Sequence, residues 1–143
     1  MKRFVLLLLL PMALVACGRD IEIDGAWGRV SPGAVSNGAF YMQIANNKGE
    51  DDALVAVQSS TCRTIELHES QVDENGVMRM APVTGGQIAL PAGETVTLQP
   101  GGLHVMCIGL ARPLAMGQRI PLTLVFADAE EIAVEAEIRD EAP

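Results

Sequence analysis

Leu103-His104-Val105-Met106-Cys107-Ile108-Gly109-Leu110 decides the fold class of this chain. On an extended strand, residues two apart point to the same side. Leu103, Val105 and Cys107 therefore share one face, and His104, Met106 and Ile108 share the other. Such a period of two marks a half-buried strand. It recurs to either side. Arg63–Glu69 sets Ile65 and Leu67 against Glu66 and His68, and Val77–Pro82 sets Val77 and Ala81 against Met78 and Met80. Ile21-Glu22-Ile23-Asp24 alternates as well. Glu130–Glu141 has the acidic composition of a helix, but Ile132, Val134, Ala136 and Ile138 alternate strictly, so Glu131–Arg139 reads as a strand. Gly38–Ala45, Ala53–Gln58, Thr95–Leu98 and Ile120–Ala127 complete the set. Turn clusters punctuate them: Ser31-Pro32-Gly33, Asn46-Asn47-Lys48-Gly49, Glu74-Asn75-Gly76, Gly85-Gly86, Pro91-Ala92-Gly93 and Pro100-Gly101-Gly102. Many short strands at this spacing predict an all-β Greek-key sandwich or barrel. With one Trp, one Tyr and three Phe, its core must be filled by Leu, Val, Ile and Ala.

The N-terminus belongs to export rather than to the fold. Lys2 and Arg3 precede an apolar run from Phe4 to Ala16, interrupted by Pro11, which is the layout of a secretory signal. It is shorter than the roughly 20 apolar residues of a membrane span. It ends in Leu14-Val15-Ala16-Cys17-Gly18, which resembles the lipobox of bacterial lipoproteins. Residues 1–17 are thus expected to be a lipoprotein signal peptide with Cys17 as the lipidated residue. Acyl chains hold in proportion to their buried CH₂ groups. Residues 18–24 form a tether and the start of the first strand, and 25–140 form the β-sandwich domain. The periplasm is the expected compartment, with a membrane reached only through the lipid.

Cys62 and Cys107 remain, an even pair in an oxidising compartment. They are either a disulfide or two buried thiols. Cys62 has the parity of His68 whereas Cys107 opposes His104, so a bulge is required for them to meet. Removing residues 1–16 takes away Lys2 and Arg3 and no acid, lowering the formal charge from −8 to −10. Such a chain is a poor binder of nucleic acid, and its acidity suits a cationic partner, a metal ion or plain solubility.

The chemistry-bearing residues are few. There are two histidines, His68 and His104, and five methionines outside the signal: Met42, Met78, Met80, Met106 and Met116. Taken singly, a Met is core filler and a strand His a hydrogen-bonded surface residue. Together, thioether and imidazole form a set that selects Cu(I), and thioethers cannot be lost to disulfide formation. Zinc would recruit Cys, His or carboxylate. A blue-copper electron carrier needs a thiolate with two His, and Cys107 lies on the wrong face. No nucleophile–base motif or paired catalytic acids indicate an enzyme.

His68-Glu69, Gly76-Val77-Met78-Arg79-Met80 and Pro100-Gly101-Gly102-Leu103-His104-Val105-Met106 together resemble the PCuAC family of periplasmic copper chaperones, whose pattern is His-(Met)-x10-Met-x21-His-x-Met. Eleven residues separate His68 from Met80, as the pattern requires, with Glu69 in place of the optional Met. Met80 and His104 are separated by 23 residues, two more than the pattern. The excess falls among turns where insertions cost little, and it leaves Met78 as the alternative to Met80. Ala26-Trp27, Gly38-Ala39-Phe40-Tyr41-Met42, Arg112-Pro113-Leu114 and Pro121-Leu122-Thr123-Leu124-Val125-Phe126 extend the resemblance over nearly the whole mature domain. It implies a cupredoxin-like β-sandwich holding one Cu(I) through His68, Met80, His104 and Met106 at an exposed edge. It implies delivery of copper toward the dinuclear copper centre of cytochrome c oxidase, with the oxidase copper-centre domain or another copper chaperone as partner. The alternatives are a copper storage or resistance protein and a structural β-sandwich lipoprotein without metal.

Overall fold

The computed structural model describes residues 20–31 and 34–143. The signal peptide and Cys17 lie outside the described residues. The described residues form ten strands: β1 (Ile21–Ser31), β2 (Ala34–Asn46), β3 (Asp52–Gln58), β4 (Cys62–Val72), β5 (Met78–Pro82), β6 (Ile88–Leu90), β7 (Thr95–Leu98), β8 (Leu103–Leu110), β9 (Arg119–Phe126) and β10 (Ile132–Ile138). One short 3-10 turn, Thr84–Gly86, precedes β6.

A continuous hydrogen-bonded ladder runs β5-β4-β8-β2-β1-β10-β9-β3-β6, with β7 pairing β2 beside β8. β1 and β10 are parallel; the other pairs are antiparallel. The ladder curls until β3 comes against β4. Its inner face gathers one core: Phe40, Met42 and Ile44 of β2, Leu54 of β3, Leu67 of β4, Val105 and Cys107 of β8, and Leu122 and Leu124 of β9. Leu67, Val105 and Cys107 lie on the side that the alternation assigns to them. Residues from nine strands, all but β5, are thereby removed from water, each fully buried large side chain contributing about 1.5–3 kcal/mol before entropy is charged against it.

Three features depart from the sequence reading. Ile88–Leu90 forms a strand too short for its period to register, although Ile88 and Leu90 are both buried against β3. The first strand does not stop at Asp24 but continues to Ser31 after a register shift between Asp24 and Trp27, where Gly25 takes φ 59°. β4 runs on to Val72, because β5 supplies it with a partner.

Cys62 and Cys107 are joined by a disulfide with their Cα atoms 5.4 Å apart. In the ladder Cys62 faces Leu110, and Cys107 faces Ile65. The bridge is therefore diagonal, and it forms without the expected bulge: the pairing of β4 with β8 keeps one register from Cys62 to Glu69. Between Cys107 and Leu110, Gly109 takes φ 69° and its amide donates to Asn37 Oδ1.

Candidate metal centre

The outer face of β4, β8 and β2 carries a second set of residues. His68 pairs directly with His104, Glu66 with Met106, and Met106 with Ala39 on its other side. Across the edge, β5 pairs Met80 with Ser70 and Met78 with Val72. All these positions share one face, because strand parity is preserved through each ladder. Trp27, Ala39 and Tyr41 form a small buried cluster on this same side, separate from the main core.

These residues enclose a concavity of about 320 Å³ lined by Met78, Met80, His104, Met106, Tyr41 and Arg29, among others. Ala39, opposite Met106, is short enough to leave space there. The Trp27 and Tyr41 rings stack at 4.6 Å, Tyr41 lies 6.3 Å from the His104 ring, and the Arg29 guanidinium sits over Tyr41 at 5.8 Å. His104 is 2 % exposed. Met78 and Met80, on the edge strand, are 56 % and 58 % exposed. The site thus has a buried imidazole at its floor and thioethers at its rim.

The His68 and His104 rings lie 5.8 Å apart. His104 Nδ1 lies 2.9 Å from the carbonyl oxygen of Gly102. A carbonyl only accepts, so Nδ1 carries the proton and donates, and Nε2 of the neutral ring is bare. The turn that presents this carbonyl is closed by the Gly102 amide on Gln99 O, with Gly101 at φ 79°. The same carbonyl accepts the Ser70 amide of β4, so one oxygen ties His104 to the neighbouring strand. His104 Nε2 and His68 Nδ1 are both buried without a hydrogen-bond partner. A buried polar atom without a partner costs about 1–3 kcal/mol. Two such nitrogens on directly paired residues are a cost that a ligand between them would remove. Burial holds the His104 pKa below the ordinary 6.5; the Gly102 bond works against this, and the neighbouring His68 adds to the lowering.

Among the described residues, no three His, Cys, Asp or Glu side chains gather at metal-binding spacing. What the concavity offers is the His104 imidazole and thioethers, with the His68 imidazole beside it, donors that suit a soft monovalent ion. Cys107 is fully buried on the opposite face and oxidised. The fold therefore brings His104, Met106, Met78 and Met80 around one concavity and His68 beside it. Met42 is in the core and Met116 lies exposed on a loop, both away from this face. Sequence reading did not place Trp27, Arg29, Tyr41 or the Gly102 carbonyl at the site. Only pairing through β2 brings the first three there. Glu66 was legible as sharing the face of His68, but not as its hydrogen-bond partner.

Residues 21–138 match the family described as "Putative lipoprotein LpqE-like". A curated relative, "Putative lipoprotein Lxx21020" of Leifsonia xyli subsp. xyli, is 32% identical over 120 residues, covering 84% of this chain and 70% of the relative. Among solved structures, the "Copper-bound PCuAC domain from PmoF2" superposes with a TM-score of 0.68 at 27% identity, covering 87% of this chain and 95% of that one. The "Apo PCuAC domain from PmoF1" gives 0.69 at 27%, with 87% and 96% covered. The solution structure of CuI-DR1885 from Deinococcus radiodurans gives 0.62 at 29%, with 80% and 75% covered. The fold is accordingly all-β and cupredoxin-like, as these copper-binding domains are. With family, relative and solved folds in agreement, this chain belongs to the LpqE-like lipoprotein family and is a PCuAC-type domain.

Proposed function

We propose that this chain is a periplasmic Cu(I) metallochaperone, anchored to a membrane through Cys17, which binds one ion with His68, Met80, His104 and Met106. The single observation that carries the reading is the pair of buried, unpartnered imidazole nitrogens on directly paired residues beside exposed thioethers. Burial favours the neutral form of the His104 ring, which suits a metal ligand. Met106 adds a thioether from the same strand as His104, two residues on. Met80 closes the set from β5, with Met78 as its alternative.

A chaperone must also release its cargo. All four donors are neutral, and β5 is exposed along its whole length. An acceptor's ligand can therefore replace the Met80 thioether first, and the ion passes through shared coordination without a fully dissociated state. The acceptor proposed is the dinuclear copper-centre domain of cytochrome c oxidase, or a second copper chaperone that serves it.

The test is Cu(I) titration of the mature protein against a chromogenic chelator, with X-ray absorption of the loaded form. One ion with both sulfur and nitrogen neighbours is expected, and Cys17→Ser should abolish partition into detergent. Unchanged affinity in His68→Ala, Met80→Ala and His104→Ala would remove the basis of this function. Transfer to an apo oxidase copper domain separates delivery from storage: a storage protein would retain its ion.

A further inference from the structure

Glu66 stands two residues before His68 on β4 and directly opposite Met106 of β8. Its carboxylate oxygen Oε2 lies 2.8 Å from His68 Nε2. The His68 side chain is 12% exposed and that of Glu66 41%, so the contact lies at the boundary between the site and solvent. An ionised carboxylate only accepts hydrogen bonds. His68 must therefore donate through Nε2, and in the neutral ring the lone pair is then on Nδ1. That nitrogen is the one buried without a partner. The reverse tautomer would turn the Nε2 lone pair toward a carboxylate oxygen and leave Nδ1–H as a buried donor with no acceptor.

We infer that Glu66 is a positioning residue of the copper site: it fixes His68 as the Nε2–H tautomer and so selects Nδ1 as the donor atom for Cu(I). The inference rests on the metallochaperone reading above. It completes a symmetry of function with opposite chemistry. The Gly102 carbonyl holds His104 as the Nδ1–H tautomer and bares Nε2, while Glu66 does the converse at His68. The two rings thus present different nitrogens from directly paired positions. Glu66 itself is a hard anionic oxygen donor, ill suited to Cu(I). Its contribution is made through the imidazole, whose orientation it restrains and whose donor strength it raises.

The experiment uses ¹⁵N-labelled mature protein, with two-bond proton–nitrogen correlation of the histidine rings in the apo form at a pH above the imidazole range, about 8. Wild-type protein should show His68 protonated on Nε2 and His104 on Nδ1. Glu66→Ala should turn His68 into a mixture of tautomers, leave His104 unchanged, and weaken Cu(I) binding by about 10–100-fold. Glu66→Gln, whose amide oxygen can still accept from Nε2, should restore the tautomer and most of the affinity. Glu69→Gln, on the other face of β4, should change neither. Loading wild-type protein with Cu(I) should move the His68 Nδ1 resonance. An Nδ1–H tautomer of His68 in the wild type, an unchanged tautomer in Glu66→Ala, or Cu(I) affinity within twofold of wild type in that variant would each overturn the inference. The two failures are distinct. Wild-type protein that binds no Cu(I) overturns the metallochaperone reading, whereas wild-type protein that binds Cu(I) equally well without Glu66 overturns the positioning role alone.

Discussion

Replacing both bridged cysteines, Cys62→Ala with Cys107→Ala, should separate stability from copper binding. The bridge closes a loop between residues 45 apart in sequence. In the chain-entropy account, a loop of that length removes about 13 cal/mol/K from the unfolded state, or about 4 kcal/mol at 25 °C. Residues 21–138 should unfold with an entropy of about 0.25 kcal/mol/K, at roughly 2.1 cal/mol/K per residue. The double variant should therefore melt about 16 °C below the oxidised wild type. Cys107 is fully buried in the main core, on the face of β8 opposite His104 and Met106. Cu(I) affinity at a temperature where both proteins are folded should thus be unchanged. Scanning calorimetry of wild type and variant, with and without reductant, followed by chelator competition, makes the comparison. A melting difference under about 4 °C would mean that the bridge does not restrict the unfolded chain. A tenfold loss of Cu(I) affinity in the folded variant would mean that a sulfur of this pair takes part in the site.

Other perturbations test other parts of the molecule. Met106→Ala and Met80→Ala should each weaken Cu(I) binding about tenfold or more by removing a soft donor, with little change in melting, since Met80 is exposed and Met106 lies outside the main core; Met78→Ala should cost less, and the reverse order of Met78 and Met80 in chelator competition would exchange their roles. The apo domain should lose stability as pH falls below about 6.5, because unfolded His104 takes up a proton there while the buried folded ring does so only at lower pH; urea melts between pH 8 and 5 should show this slope reduced in His104→Asn. The Asp52 carboxylate is buried and accepts from the amides of Ala53, Asp128 and Ala129 and from Lys48 Nζ at 2.8–3.1 Å. Asp52→Ala should cost about 3–5 kcal/mol in urea unfolding, since three amides lose their acceptor. Burial alone would raise this carboxyl's pKa, but the Ala53 amide, Lys48 and the Asp128 amide together bring it below its ordinary 3.8. Its contribution is therefore complete above pH 3.8 and disappears as pH falls through the lower folded value, which wild-type and variant melts at pH 7 and pH 3 should reveal.

Strand periodicity by itself determined most of this architecture. The alternation in Leu103–Leu110, Arg63–Glu69 and 132–138 assigned core and outer residues correctly, since a period of two sends neighbours to opposite faces whatever the sheet order. The same parity put Glu66 with His68, and His104 with Met106. It could not state that His68 lies directly opposite His104, because register is set by pairing between strands 36 residues apart in sequence. Nor could it reveal β6, whose three residues are too few to show a period and which exists because β3 offers an edge to pair with. Nor could parity settle the diagonal Cys62–Cys107 bridge, which forms across an unshifted strand pair where alternation called for a bulge. Above all, only the tertiary structure decided which ring nitrogens are free. Tautomers follow from the acceptor within reach of each ring, a carbonyl for His104 and a carboxylate for His68. Those acceptors are fixed by turn geometry and side-chain placement, which alternation along the chain does not encode.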